Sequence, residues 1–525
     1  MTEKISVEHA VKIAQTAVAN NNFEAANSVI SALLKVGHLD YSLVLPLIQK
    51  NLWAGDEVSA RSLLGNVLVL APEHAYSWRA AYIFHVFHGE WGKALDAIEK
   101  CRRYGDNSTE VDLYEAELCL RLVQPKKAIS LLDRNLSAKN ALAAWKVKAP
   151  ALAMLGRHEE LVSDLPIFLA SQELQGFEYA SLWKELGTSY DKLGQYEDAF
   201  TAFFTGNEIE KKAYEIKDRG RLIDLMDAWR TVFTADWVGE WPAGDKSVVS
   251  PVFLIGFPRS GTTLVEQALD AHPELVALEE KDALEKTLLL AMKELEGGGV
   301  EKSGVSSLSW KDAAVRSLKK LSNIDEARVE AWRSYYWERI SEHVELGSKT
   351  LVDKMPLNTI HIGFILRLFP AARFIVALRH PADCVLSAYM QSFKMNAAMA
   401  NFLDLDDAAS FYAGVMQLLQ HYISVLPMSQ NLHFVRYETV VSDFDKEIGA
   451  LLSFLGLEMT PDVSNYAQHA LHRGTLNTPS ARSVTKALYR DATNRWRNYE
   501  RHLEPVFHHL EPACVWFGYK VHGNS

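Results

Sequence analysis

A short glycine-containing loop near the middle of the chain has the residue types of an anion-binding site. It follows the apolar run Val252–Ile255, which is typical of a buried parallel strand, and precedes a helical pattern that begins at Leu264. A loop in this position can surround an anion with backbone N–H groups and the positive end of a helix dipole. The predicted binding residues are Pro258, Arg259, Ser260, Gly261, Thr262 and Thr263.

The glycine spacing of this loop argues against several classes of nucleotide-binding enzyme. Gly256 and Gly261 match the start of a Walker A loop, but Thr262 stands where that loop has its lysine. An ATPase, a GTPase or a nucleotide kinase is therefore disfavoured, because each uses that lysine on the phosphates. Arg259 offers a cation at another place in the loop. The alternative is a tight strand–helix turn that binds no ligand.

A second group of candidates follows another predicted strand. The run Arg373–Leu378 reads as a buried strand, Arg379 stands at its carboxyl end, and Ser387 lies on the helix that follows. Ligands of open α/β sheets bind beyond the carboxyl ends of the strands, so both loops should face one crevice. The alternative for Arg379 is a surface ion pair.

Further candidates come from three other segments. Lys354 ends an apolar run that begins at Thr350, and Tyr437 lies in a probable strand over residues 432–438. Residues 472–502 carry seven Arg and Lys against two acidic residues, which fits an anion-facing segment at least as well as the alternative, a solvated helix face. Ser480 and Lys486 lie in that segment.

The first half of the chain is predicted to be a helical repeat array. Small residues recur every 34 positions, and glycines precede several repeat positions by five residues. This period is typical of tetratricopeptide repeats, in which pairs of helices stack to bury their apolar faces. We expect about six units over residues 5–210, and the alternative is a non-repetitive helical bundle. The alanines are Ala26, Ala60, Ala94 and Ala128, and the glycines are Gly55, Gly89, Gly156 and Gly194.

Composition excludes several classes of protein. The chain has 525 residues, of which 48% are hydrophobic and 23% charged, an ordinary balance for globular domains. Its formal net charge of −11 argues against a general nucleic-acid binder. The four cysteines are scattered, which gives no zinc or redox motif and favours a reducing compartment. Without a signal-peptide pattern or an apolar span of membrane length, we expect a cytoplasmic protein.

These patterns predict two domains. A tetratricopeptide α-solenoid is expected over residues 1–235, followed by a Pro- and Gly-containing linker at 236–249. The remainder, residues 250–525, is predicted to be a P-loop-like α/β domain with a central parallel sheet.

The second domain resembles the sulfotransferases that use 3′-phosphoadenosine 5′-phosphosulfate (PAPS). The segment Pro258–Thr263 is similar to the family's 5′-phosphosulfate loop, and Arg379 with Ser387 is similar to its 3′-phosphate site. Together with residues 269–274, Leu-Asp-Ala-His-Pro-Glu, the motif is most similar to tyrosylprotein sulfotransferases. The similarity covers about residues 250–500. A repeat array ahead of such a domain resembles a bacterial arrangement.

The resemblance implies roles for individual residues. Arg259, Thr262 and Thr263 would hold the 5′-phosphosulfate, Glu280 would be the catalytic base, and Lys354 would stabilise the leaving oxygen. Tyr437, Lys486 and, as a weaker match, Ser480 would lie near the nucleotide. No metal is expected, because these cations can stabilise the transferred group. The alternative for Glu280 is a solvated carboxylate.

Several functions remain open at this point. The first is sulfuryl transfer to a tyrosine of a peptide or protein that the repeat array helps to recruit. The second is the same chemistry on a hydroxyl of a carbohydrate, a lipid or a small molecule. The third is a catalytically inactive scaffold. A homodimer is possible under each of them.

Overall fold

The chain forms two compact units. The structure, a computed structural model, describes residues 6–20, 22–133, 140–171, 176–213, 221–241, 245–295, 310–426, 428–473 and 493–521. The first unit consists of Met1–Leu174 and Ser181–Gln195, and the second of Gln175–Ala180 and Tyr196–Ser525. This division describes compactness; the repeat domain to residue 235 and the linker at 236–249 stay predictions.

Twelve helices follow one another as six pairs along the described part of residues 6–213, which confirms the predicted repeat organisation. They are α1 Val7–Ala19, α2 Phe23–Lys35, α3 Tyr41–Trp53, α4 Glu57–Leu70, α5 Ala75–Phe87, α6 Trp91–Arg103, α7 Thr109–Arg121, α8 Pro125–Leu132, α9 Ala141–Met154, α10 His158–Ala170, α11 Phe177–Lys192 and α12 Tyr196–Ala213.

The repeat residues lie where the helix pairs require them. The periodic alanines have no exposed surface, because close helix packing leaves no room for larger side chains there. In four of the six pairs a glycine between the two helices has a positive φ angle, as at Gly55 (79°) and Gly194 (75°), and ends the first helix of that pair. In the fourth pair Val123 takes this place with φ 58°, a conformation that disfavours a β-branched side chain.

The second unit contains further helices around a sheet. The α-helices are α13 Arg221–Val232, α14 Ala235–Gly239, α15 Thr262–Asp270, α16 Ala283–Leu295, α17 Trp310–Lys319, α18 Glu326–Ser341, α19 Ile362–Leu368, α20 Pro381–Tyr389, α21 Leu405–Val425, α22 Tyr437–Ser442, α23 Phe444–Leu455, α24 Pro461–Ser464, α25 Tyr466–Arg473, α26 Glu500–Leu503 and α27 Phe507–Phe517. Short 3₁₀ helices are Lys320–Asn323, Pro356–His361, Met399–Leu403, Ser429–Asn431, Arg495–Tyr499 and Glu504–Val506.

Five parallel strands form the sheet in the order β2-β3-β1-β4-β5. Their bounds are β1 Val252–Gly256, β2 Leu275–Glu279, β3 Thr350–Lys354, β4 Arg373–Leu378 and β5 Leu432–Arg436. The central strand β1 is buried along its whole length, as its continuous apolar sequence predicts. The parallel sheet confirms the predicted fold class.

Two details differ from the sequence-based expectation. The last strand was expected over residues 432–438 but ends at Arg436, so Tyr437 is the first residue of α22 instead of a strand residue. Strand β2 was not predicted, and it pairs with β3 at the edge of the sheet. Within the described ranges, no helix combines the length and apolarity required to cross a membrane.

Candidate active site

The strand order places the candidate residues at a topological switch point. From β1 the chain passes to β2 on one side of the sheet, whereas from β4 it passes to β5 on the other. The carboxyl ends of β1 and β4 are adjacent, with Gly256 opposite Ala377. Parallel sheets bind ligands at such a point, because the two departing connections leave a crevice between them.

The loop after β1 is packed too closely for side chains at its two glycines. A Cβ on Gly256 would lie 2.6 Å from the carbonyl oxygen of Ala377, and a Cβ on Gly261 would lie 2.7 Å from the Tyr437 ring. The hydroxyl of Thr359 accepts a hydrogen bond from the Gly256 N–H at 2.9 Å and donates one to the Gly256 carbonyl at 2.8 Å. The loop is therefore held in place before any ligand binds.

Arg259 connects this loop to the second one. Its backbone has φ 72°, and its Nε donates a hydrogen bond to Ser387 Oγ at 2.9 Å. Arg379 Nη1 donates to the Arg259 carbonyl at 3.0 Å. Burial lowers the pKa of Arg259 to about 10, and the charges of Arg379 and Arg495 act in the same direction. Two arginines held this close favour an anion between or beside them.

Arg379 is itself held by two neighbours. Its Nη2 lies 3.8 Å from Asp383 Oδ1, and its guanidinium carbon lies 5.2 Å from the centroid of the Tyr437 ring. Asp383 also accepts the N–H groups of Asn494 and Trp496, each at 2.9 Å. Asp383 therefore connects the segment after β4, which carries Arg379, to the C-terminal part of the second unit by hydrogen bonds.

The loop residues fit an anionic group. Ser260, Thr262 and Thr263 are buried, and Ser260 Oγ has no hydrogen-bond partner among the described residues. A buried hydroxyl without a partner is costly, so a ligand oxygen would complete its hydrogen bonding. The N-terminus of α15 and the two arginines supply positive potential at the same place.

A second group of charges surrounds Lys354, at the carboxyl end of β3. Its Nζ donates to Glu280 Oε1 at 2.8 Å and lies 3.3 Å from Glu266 Oε2 and 3.8 Å from Glu279 Oε1. Lys354 has no exposed surface, whereas the Glu280 side chain is 41% exposed. Burial alone would lower the pKa of Lys354, but these carboxylates outweigh it and raise that pKa.

Glu280 has a strained backbone next to this lysine. Its φ is 42°, and its N–H donates to the Lys354 carbonyl at 2.9 Å, one residue beyond the end of β2. Strained residues persist where the surrounding structure determines them, and they are frequent at active sites. The conformation keeps the Glu280 carboxylate at the lysine while leaving it open to solvent.

The structure thus brings most of the candidate residues into two groups. Arg259, Arg379, Ser387 and Tyr437 lie around the loop, and Lys354 joins Glu280 at the neighbouring strand ends. Ser480 and Lys486 lie outside the described residues. Sequence reasoning missed Glu266 and Asp383. Glu266 gave no local signal, because with Gln267 it reads as part of a polar helix surface.

Comparison with known proteins assigns a family to this region. The fold is a parallel α/β domain, and the residues of its loop fit an anion. Residues 251–461 match the sequence model of the sulfotransferase family, and this part of the chain is a sulfotransferase-family domain.

Several named proteins are similar to the chain. An uncharacterized protein from Aquifex aeolicus is 26% identical over 61% of this chain and 40% of that protein. Protein-tyrosine sulfotransferase 1 from Danio rerio is 25% identical over 52% of this chain and 73% of that protein, and the Homo sapiens protein of that name is 28% identical over 34% and 45%. The chain therefore spans less than half the length of two of these relatives.

A solved structure is also similar. The sulfotransferase domain of the Synechococcus PCC 7002 olefin synthase has 22% identity and a TM-score of 0.33, covering 49% of this chain and 90% of that domain.

Proposed function

We propose that the protein transfers a sulfuryl group from PAPS to an acceptor hydroxyl. The observation that carries this proposal is the contact of Lys354 Nζ with Glu280 Oε1 at 2.8 Å, at strand ends next to the anion-binding loop. A base and a cation at one point of a crevice suit a reaction in which a hydroxyl loses its proton as an anionic leaving group forms.

The loop and its partners would bind the donor. Residues Pro258–Thr263, with Arg259, Thr262 and Thr263 as the main contacts, would hold its 5′-phosphosulfate. Arg379 and Ser387 would bind its 3′-phosphate, and Tyr437 would lie near the nucleotide. Ser480 and Lys486 complete the proposed set. When bound, PAPS supplies the sulfuryl group and a phosphate leaving group.

The charged residues would divide the catalytic work. Glu280 would accept the proton of the acceptor hydroxyl, because its carboxylate combines solvent exposure with a fixed position. Lys354 would stay protonated and stabilise the negative charge on the leaving oxygen. Arg259 would stabilise charge on the transferred group, as positioned cations do in the related phosphoryl transfers.

We propose a tyrosine in a peptide or protein as the acceptor. Support comes from relatives named protein-tyrosine sulfotransferase at 24–28% identity. A phenol, with a pKa of about 10, also loses its proton to a carboxylate more readily than an alcohol does. The helical repeats of the first unit would help to recruit the peptide, since stacked repeats form extended binding surfaces.

A screen with labelled PAPS would test the acceptor class. Wild-type protein and Glu280→Gln are incubated with acidic tyrosine peptides, the same peptides with Phe in place of Tyr, and a panel of carbohydrate, lipid and small-molecule alcohols. We expect label only on tyrosine peptides, and a rate about 10²–10⁴ times lower for the variant. Label on an alcohol alone would instead identify a different acceptor class.

The inactive-scaffold alternative needs a separate measurement. Calorimetric titration with adenosine 3′,5′-bisphosphate should show binding by both wild type and Glu280→Gln, with affinities within about threefold, because Glu280 belongs to the acceptor side. The matched control is Glu285→Gln, an exposed residue of α16, which should change neither the rate nor the affinity. Absence of binding by the wild-type protein would support the scaffold.

A further inference from the structure

The buried lysine of the candidate active site has more counter-charge than one base provides. Carboxylates of Glu266, Glu279 and Glu280 all lie within 3.8 Å of Lys354 Nζ. An ammonium group has three N–H donors, so it can serve three acceptors. The proposed chemistry gives a role to Glu280 alone, which leaves the other two carboxylates to be explained.

Glu266 is the most enclosed of the three. It lies on α15, the helix that starts at the anion-binding loop, and neither it nor Lys354 has exposed side-chain surface. Its second carboxylate oxygen, Oε1, lies 3.4 Å from the side-chain nitrogen of Gln267. Glu279 lies at the end of β2, farther from Nζ and 12% exposed. Glu266 therefore joins the lysine on β3 directly to the helix of the loop.

The charge on Glu280 changes during the proposed reaction. Once Glu280 has accepted a proton it is neutral, and Lys354 loses its nearest counter-charge while it is still buried. A buried ammonium without a nearby anion tends to lose its proton, and a neutral amine could not stabilise the leaving oxygen. A second carboxylate that takes no part in proton transfer would prevent this.

We propose that Glu266 is the positioning residue for Lys354: it keeps the ammonium charged and aimed at the leaving oxygen while Glu280 takes the proton. This assignment rests on the proposed function for its catalytic consequence, but the ion pair itself is independent of it. In this role Glu266 acts through Lys354 and not on the donor, so its removal should affect the rate more than donor affinity.

The substitution Glu266→Gln tests the charge with little change of shape. The protein is labelled with ¹³C at lysine Cε, and the Lys354 resonance is assigned by its absence in Lys354→Arg. In wild type this resonance should remain that of an ammonium beyond the pH at which an ordinary lysine titrates, because the three carboxylates raise the pKa of Lys354. In Glu266→Gln its titration midpoint should fall by at least about one pH unit. Three carboxylates face this lysine, those of Glu266, Glu279 and Glu280, and the variant leaves Glu279 and Glu280 unchanged.

Kinetics supply the second readout. In Glu266→Gln we expect kcat to fall about 10- to 100-fold, with less than about threefold change in KM for PAPS. Glu266→Asp keeps the charge but shortens its reach, so its Lys354 midpoint should stay near wild type while kcat still falls. Glu285→Gln serves as the control for an unrelated glutamate.

The outcomes separate the two proposals. Equal Lys354 midpoints in wild type and Glu266→Gln, or an unchanged kcat, would overturn the role of Glu266. If Glu266→Gln does not fold, Glu266→Asp decides, and an unchanged kcat there would overturn it as well. Absence of sulfuryl transfer by the wild-type protein would contradict the proposed function, whereas the midpoint comparison would still report on the ion pair.

Discussion

The guanidinium of Arg259 and the hydroxyl of Ser387 are joined by a hydrogen bond of 2.9 Å between Nε and Oγ, although 128 positions separate them in the sequence. One residue belongs to the loop after β1 and the other to α20, which follows β4. The bond therefore connects the two loops that flank the crevice. In the proposed function, these loops hold opposite phosphate ends of one donor.

This bond makes a prediction for donor binding. Ser387→Ala should weaken binding of adenosine 3′,5′-bisphosphate about 5- to 10-fold, because it removes one ligand hydroxyl and the support of Arg259. Arg259→Ala and Arg379→Ala should each weaken it about 10- to 100-fold, since each removes a charged hydrogen-bond donor. Calorimetry measures these affinities. The control is Arg316→Ala, an exposed arginine of α17 that should not change them.

Gly363 makes a prediction for the stability of the second unit. A Cβ at this position would lie 2.2 Å from the Phe233 ring, so Gly363→Ala should lower the free energy of unfolding by about 1–3 kcal/mol. At Gly449, in α23, no atom lies within 4 Å of the added Cβ, so Gly449→Ala should raise it by about 0.4–1 kcal/mol. Urea unfolding measures both, and equal effects would contradict the packing at Phe233.

Replacing Val123 by glycine is predicted to stabilise the first unit. Its φ of 58° costs a β-branched residue about 1–2 kcal/mol, so Val123→Gly should raise the free energy of unfolding by about 0.5–1 kcal/mol after the greater entropy of the unfolded glycine chain is subtracted. Val69→Gly, inside α4 and also exposed, should lower it by a few tenths of a kcal/mol, the difference in helix propensity between valine and glycine. Circular dichroism in urea measures both. A loss of stability in Val123→Gly would contradict the turn geometry.

Asp353 makes a prediction for pH. Burial raises its pKa to about 6, although Tyr336 donates a hydrogen bond to it at 2.7 Å. In the unfolded chain an aspartate has a pKa of about 3.9, so between these values the folded state holds a proton that the unfolded state lacks. Stability due to this group therefore falls as the pH rises from about 4 to 6 and stays reduced above that.

A variant without the Asp353 carboxyl group should lose this pH dependence of stability. Asp353→Asn should be more stable than wild type at pH 7.5 by roughly 2 kcal/mol, with a smaller difference at pH 4.5. Urea unfolding at the two pH values provides the comparison, and exposed Asp462→Asn is the control. A difference independent of pH would show that Asp353 is ionised alike in both states.

The sequence allowed the repeat array and most of the sheet to be predicted because their signals are local and periodic. Alanines at a spacing of 34 residues and turn glycines mark the helix pairs, and continuous apolar runs mark β1 and β4. Strand β2 gave no such signal, since it has only five residues and lies at the edge of the sheet. Its pairing with β3 determines it, and that contact is distant in sequence.

In the candidate site, too, residues with a local sequence signal could be predicted, and those determined by distant contacts could not. Arg259, Arg379 and Ser387 could be predicted to converge, because parallel strands bring their carboxyl ends to one edge. Glu266 could not, because Glu266 and Gln267 read as a polar helix surface in sequence. Only the packed fold shows that both are completely buried and that the partner of Glu266 comes from β3.

The enclosure of Lys354 also bears on chemical probes of this protein. A charged amine with no accessible surface is a weak nucleophile, so amine-directed reagents should modify exposed lysines such as Lys93 long before they reach it. A lysine-reactive inhibitor designed from sequence motifs alone would target an amine that such reagents cannot reach. Compounds that mimic the donor, and compete for Arg259 and Arg379, are the better starting point.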